Sequence, residues 1–237
     1  MTPPHGATRQ RILHQTLEQT QVLTTVQLRR HNLMPLSRPL TLPQRTYTVA
    51  TRSTQQASQV NLTFVALDEA TLRQHTPAEL GHLAGLAETW LRVRDAGILQ
   101  VTGLTQHHEW HLMQPEERQQ GSRDAGRSGH LPDAKILSPA GYGDDWAVEM
   151  DAGYPRERKL EKMTGFAQQG YRHILWVTSV HGLVRPIVRT MQRLRDDDEL
   201  PGVVSGAAMF SDYWSERDPY HPGRRCHTKL LFSFRKL

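Results

Sequence analysis

The chain has one cysteine among 237 residues, Cys226. A single thiol excludes an internal disulfide and a cysteine-based zinc site. Lysine is also scarce: there are five, Lys135, Lys159, Lys162, Lys229 and Lys236, so arginine supplies most of the 29 basic residues. No run of about 18 apolar residues occurs, which excludes a membrane-spanning helix of the usual kind. The first residues contain Pro, His and Arg and lack an apolar core, so no signal peptide is expected and a cytoplasmic location is. No GxxxxGK[ST] loop is present to cradle nucleotide phosphates, and no Gly-x-Ser-x-Gly elbow to raise a nucleophilic serine. Acidic residues are nearly missing from both ends. Residues 1–60 carry seven arginines against Glu18 alone, and the stretch from Arg217 onward carries six basic residues against Asp218 alone. With a net charge of +5 and a pI near 9.6, basic ends around a near-neutral middle suit a polyanionic partner, most simply DNA.

The stretch from His130 to Lys162 holds the densest chemistry. Two short apolar runs, Ala134–Leu137 and Trp146–Met150, flank a turn rich in Pro, Gly and Asp, which predicts a β-hairpin. If Leu137 and Trp146 close it, counting back places Asp133 opposite Glu149–Asp151. Residues two apart on a strand share a face, so Glu149 and Asp151 point the same way. Three carboxylates on one patch repel one another unless a cation joins them, and oxygen ligands of this kind suit Mg²⁺ or Mn²⁺. The alternative is that they are solvated strand-end and turn acids, with Asp151 capping the turn that follows. His107, Glu109 and His111 share a strand face as well, but contiguous strand spacing without a thiolate is a poor zinc pattern.

The remaining elements follow from periodicity and punctuation. Arg9–Gln19 has helical spacing, and Thr24 or Thr25 caps a second short helix ending near His31. Pro35, Pro39 and Pro43 then break any helix. Arg45–Arg52 and Asn61–Leu67 alternate as two strands around a Gln/Ser-rich turn. Thr76-Pro77-Ala78-Glu79 starts a helix expected to reach about Ala96, with Glu88 at the edge of its apolar stripe. Strands are expected at Leu99–Leu104 and Glu109–Met113, followed by a polar loop over Gln114–Gly129. Arg156–Gln169 is a helix carrying Lys159 and Lys162 on one face. His173–Ser179 is a buried strand, Gly182–Arg195 an amphipathic helix, Val203–Phe210 an edge strand and Lys229–Phe234 the last strand.

From residue 76 the order is helix, strand, hairpin, helix, strand, helix, with Glu88 on the helix and Asp133 and Glu149 on the hairpin. This resembles the PD-(D/E)XK nucleases, with Pro132-Asp133 and Glu149-x-Asp151 standing at the two acidic elements. Asp151 occupies the place of the motif lysine, and Lys159 or Lys162 on the next helix is the replacement the resemblance offers. More narrowly, the chain resembles the replication-relaxation family of plasmid and mobile-element proteins. The matching pieces are Leu23–Leu28, Glu79–Glu88, Leu131–Ala134, Val148–Gly153, Lys162–Phe166 and Ile174–Thr178. The resemblance implies an α+β fold: a restriction-endonuclease-like mixed sheet flanked by helices over residues 76–237, and a winged-helix-like DNA-binding segment over 1–70. It implies catalytic roles for Asp133, Glu149, Lys162 and Glu88, with Mg²⁺ or Mn²⁺ on Asp133, Glu149 and Asp151. DNA is the implied partner, no membrane is, and oligomeric state is left open, a homodimer included. A catalytically inactive scaffold that only binds DNA, or a replication or transcription regulator, is the competing expectation.

Overall fold

A computed structural model describes residues 6–34, 41–52, 57–94, 96–105, 107–114, 116–117, 131–139, 144–151, 153–221 and 231–237. The expected loop over Gln114–Gly129 therefore lies almost wholly outside the described residues, as do Cys226, Lys229 and the three-proline segment except for Pro43. The chain is mixed α and β and forms two compact units, Met1–Arg92 with Ser211–Arg225, and Val93–Phe210 with Cys226–Leu237.

The first unit opens with α1 (Gly6–Thr20), β1 (Val22–Thr24) and α2 (Thr25–Arg30). Thr24 ends the strand and caps the helix. Its hydroxyl accepts from the Gln27 amide (3.2 Å), and the Gln27 side chain accepts from the Thr24 amide (2.8 Å). Two otherwise unpaired helix-start donors are satisfied reciprocally, and of the two threonines expected as the cap it is Thr24 that serves. The two expected strands are β2 (Gln44–Thr51) and β3 (Ser58–Ala66), and the sheet order is β1-β3-β2, antiparallel throughout. Leu13, Leu17, Leu23, Leu28, Leu33, Val65 and Ala87 form one buried cluster beneath it. A short helix, α3 (Glu69–Gln74), leads to α4 (Pro77–Val93), which belongs to this unit up to Arg92.

Glu88 on α4 is 1% exposed and organises a buried ion-pair network. It accepts from Arg92 Nε (2.8 Å), Arg30 Nη1 (3.1 Å), His31 Nε2 (3.2 Å) and Gln27 Nε2 (3.2 Å). Burial alone would raise its pKa. The charges of His31, Arg92 and Arg30 more than offset this and hold the carboxyl far below the usual range. The same arginines fasten the returning segment: Arg30 donates to the carbonyls of Asp212 and Ser215, and Arg92 donates to Asp218 (2.6 Å).

The second unit is a six-stranded sheet in the order β4-β5-β6-β7-β8-β9. Its strands are β4 (Glu109–Leu112), β5 (Ala134–Leu137), β6 (Trp146–Asp151), β7 (His173–Thr178), β8 (Ser205–Phe210) and β9 (Phe232–Lys236). β4, β5 and β6 pair antiparallel, and β6, β7 and β8 pair parallel. Parallel pairing needs a crossover, and α6 (Arg156–Gln168) and α7 (Val184–Asp196) supply one each. Two expectations are corrected. Leu99–Leu104 is not a strand: α5 runs Ala96–Thr102, and the Thr102 hydroxyl bonds the Ile98 carbonyl four residues back (2.8 Å). A short apolar run lacks the period that separates helix from strand. The strand within Val203–Phe210 is interior rather than an edge, because β9 pairs antiparallel on its far side and all six of its residues are buried.

Removing the Glu88 carboxylate leaves Arg30 and Arg92 buried without their anion. Glu88→Ala is expected to cost about 3–5 kcal/mol, read as a lowered urea midpoint, whereas an exposed helix acid would cost less than about 1 kcal/mol.

Candidate active site

β6 is buried along its whole length, yet carries two carboxylates. Glu149 and Asp151 are both 0% exposed. They project from the same sheet face, and α6 places a lysine against each. Lys162 Nζ donates to Glu149 Oε1, and Lys159 Nζ lies 2.9 Å from Asp151 Oδ2. The three-residue spacing of the lysines on one helical face matches the two-residue spacing of the acids on the strand.

The hairpin register brings in Asp133. The expected closure by Leu137 and Trp146 is corrected by one residue: Ile136 pairs with Trp146 and Ala134 with Val148, so Asp133, one residue earlier, stands opposite Glu149. The Asp133 amide donates to the Val148 carbonyl (2.9 Å), and Asp133 Oδ2 accepts from the Met150 amide (2.9 Å). Asp133 is 5% exposed and Lys162 7%. The structure thus gathers Asp133, Glu149, Asp151, Lys159 and Lys162 in the second unit. Glu88 lies in the first unit, enclosed by its own cationic partners.

The two β6 acids differ in what they have left to offer. Asp151 is fully engaged. Its Oδ1 accepts from the amides of Gly153 (2.6 Å) and Tyr154 (2.5 Å), and its Oδ2 from Trp176 Nε1 (3.2 Å) as well as from Lys159. It caps the turn into α6, and no lone pair is left conveniently placed for a metal. Glu149 is under-satisfied: Oε2 is buried with no hydrogen-bond partner among the described residues. Burial first, then the charge of Asp133, pushes the Glu149 carboxyl up to about 8, against the opposing pull of Lys162 and Tyr154.

Tyr154 was not singled out in the sequence. Its hydroxyl interacts with Glu149, its own pKa is raised by burial and by the charges of Glu149 and Asp133, and Arg158 stacks on its ring at 4.7 Å. Gly153-Tyr154-Pro155 after an aspartate reads as a plain turn, so only the folded turn shows that the ring faces the acids. His173 hydrogen-bonds Ser205 (2.6 Å) and stacks on Trp146 (4.9 Å). The His107–Glu109–His111 set does not assemble: His111 pairs instead with Glu117 (2.9 Å).

Among the described residues, no group of three or more His, Cys, Asp or Glu is arranged to hold a metal. A two-carboxylate site is therefore the one to test for fit. Asp133 and Glu149 supply hard oxygen donors, one of them orphaned and buried, with the single ammonium of Lys162 against the pair. That donor set suits a hard divalent cation. No family model, curated protein or solved structure matches this chain.

The raised Glu149 carboxyl fixes a sign for stability against pH. Between the ordinary carboxylate range and about pH 8 the folded chain holds a proton that the unfolded chain has released. Stability from this group is complete at low pH and is lost as pH rises through 8. Urea midpoints at about pH 5 and about pH 8.5 should show the wild type losing at least about 1.4 kcal/mol more than Glu149→Gln, the worth of one pKa unit. Equal losses would contradict the assignment.

Proposed function

We propose that the protein binds DNA and cleaves or nicks it at a divalent-cation site formed by Asp133 and Glu149, with Lys162 as the accompanying base-side cation. The observation that carries this reading is the convergence of Asp133, Glu149 and Lys162 from two neighbouring strands and the next helix, with Glu149 Oε2 left unpaired in a buried position. The element order agrees with the nuclease-like resemblance: an antiparallel β4-β5-β6 meander, a crossover helix, and a parallel β7. On this reading the following helix supplies the lysine missing at position 151; Lys162 lies against Glu149 and Lys159 against Asp151, which favours Lys162.

A bound Mg²⁺ or Mn²⁺ would neutralise charge on the phosphate and make water acidic enough to attack it. Asp133 and Glu149 would hold that ion. The Lys162 ammonium, held beside Glu149, would offer donors to a phosphate oxygen and offset the charge that develops there. Asp151 acts at one remove, holding the turn that aims α6. Glu88 is assigned to the fold.

The first unit supports the DNA-binding half of the reading. The β2-β3 hairpin pairs on the strand between α1 and α2, so a helix–strand–helix segment and a hairpin share one sheet; this supports a winged-helix-like segment, although no recognition-type helix stands between α2 and β2 among the described residues. On this reading the chain is a replication-relaxation-like protein acting in plasmid or mobile-element replication or transfer. A second reading has its own observation. Lys159 and Lys162 already neutralise Asp151 and Glu149, which favours a scaffold that binds DNA without cutting it.

Supercoiled plasmid incubated with protein and Mg²⁺ or Mn²⁺ separates the two. The cleavage reading expects nicked or linear product, its loss with Asp133→Ala and Glu149→Ala, and a fall of about 100-fold or more with Lys162→Ala. Salt-sensitive DNA retention without product in either metal would leave the binding scaffold.

A further inference from the structure

A groove of about 220 Å³ in the second unit is lined by Arg185, Val188, Arg189, Ser233, Phe234 and Arg235. Its construction follows from the sequence. α7 buries Val184, Ile187, Val188, Met191 and Leu194, which turns Arg185 and Arg189 outward one helical turn apart. β9 ends the sheet, and its register sets Arg235 opposite Gly206 and Ser233 opposite Ala208. A Cβ built on Gly206 would stand 2.6 Å from Met191 Sδ, so that face of β8 meets α7. Arg235 therefore rises on the α7 side of the sheet edge, beside the two helix arginines. Among the described residues no acid lines the groove, and neither Arg189 nor Arg235 takes part in an ion pair.

Arg189 and Arg235 face one small groove, and an anion between them relieves their mutual repulsion. Guanidinium presents a planar fork of donors that matches phosphate oxygens in pairs. The arginines come from a helix and a strand edge flanking an open groove with Val188 at its base, a shape that admits a chain of phosphates. We propose that this groove binds the phosphodiester backbone of nucleic acid through Arg185, Arg189 and Arg235. The inference deepens the proposed function and rests on it only in taking DNA as the polyanion.

The placement also relates the groove to the acids. Glu149, Trp176, Ala208 and Ser233 form one cross-strand row, so the groove and Glu149 share a sheet face. Three strand spacings separate them, about 14 Å, or roughly four nucleotides along one DNA strand.

The test is fluorescence anisotropy with a labelled duplex of about 30 base pairs, titrated with full-length protein over a salt series from about 0.05 to 0.2 M. The triple variant Arg185→Ala/Arg189→Ala/Arg235→Ala is compared with wild type and with Arg193→Ala, which removes an exposed arginine of the same helix outside the groove. All four positions are exposed, and thermal melting checks that the variants fold. The triple variant should bind about tenfold or more weakly, and its slope of log K against log salt should be shallower by about 2–3, while Arg193→Ala matches wild type. Unchanged affinity and slope in a folded triple variant would overturn the groove. So would competition by polyglutamate as strong as by unlabelled duplex at equal charge, which would point to an acidic protein surface. Wild-type binding that depends on the groove, in a protein that never nicks plasmid, would uphold this inference while removing the cleavage reading. Nicking and binding that both ignore the groove would do the reverse.

Discussion

The second unit depends on how two carboxylates are kept inside a fully buried strand. Placing an ionised carboxylate at a position with no solvent contact costs several kcal/mol unless a partner and hydrogen bonds compensate. β6 meets that requirement twice, from the same helix: Lys159 on Asp151 and Lys162 on Glu149. Hydrophobic burial of Met163 and Phe166 fixes α6 against the sheet, and the lysines set its register along β6. The compensation is unequal. Asp151 has every oxygen engaged and serves the architecture. Glu149 retains a buried unpartnered oxygen beside a second carboxylate, so its ionised form is disfavoured. That inequality separates a supporting acid from one with unused capacity, and the proposed chemistry grows from it.

Glu88 shows the same physics with the opposite outcome. It too is a buried carboxylate, but Arg30, Arg92, His31 and Gln27 surround it, and its ionised form is strongly favoured. A carboxylate with this many donors has its lone pairs spent. The network instead joins α2, α4 and the segment after β8 within the first unit, through Asp212, Ser215 and Asp218.

Much of this arrangement was legible in the amino-acid sequence because local rules and burial agree. A threonine cap at Thr24, the Thr76-Pro77 helix start, the hairpin itself and the apolar run of β7 each follow from spacing alone, whereas the hairpin register is one residue off the expected Leu137–Trp146 closure: Ile136 pairs with Trp146, and this sets Asp133 against Glu149. What was not legible depends on tertiary partners. Residues 99–102 carry no period that separates helix from strand. β8 is interior only because residues over 200 positions into the chain return to cover it. Glu88 reads as an exposed helix acid until Arg30 and His31 arrive from about 58 positions earlier in the chain. The α7–β9 groove needs Arg235 beside Arg185 and Arg189, a proximity that only the sheet edge creates.

The central claim is that Asp133 and Glu149 together form a cation site. Its most direct measurement is calorimetric titration of the metal-free protein with Mn²⁺ above about pH 8, where the Glu149 carboxyl is ionised. The account predicts one saturable Mn²⁺ site per chain, weakened by about tenfold or more in Asp133→Asn and in Glu149→Gln and retained in Asp151→Asn. Absence of saturable binding, or binding indifferent to Asp133 and Glu149, would contradict it.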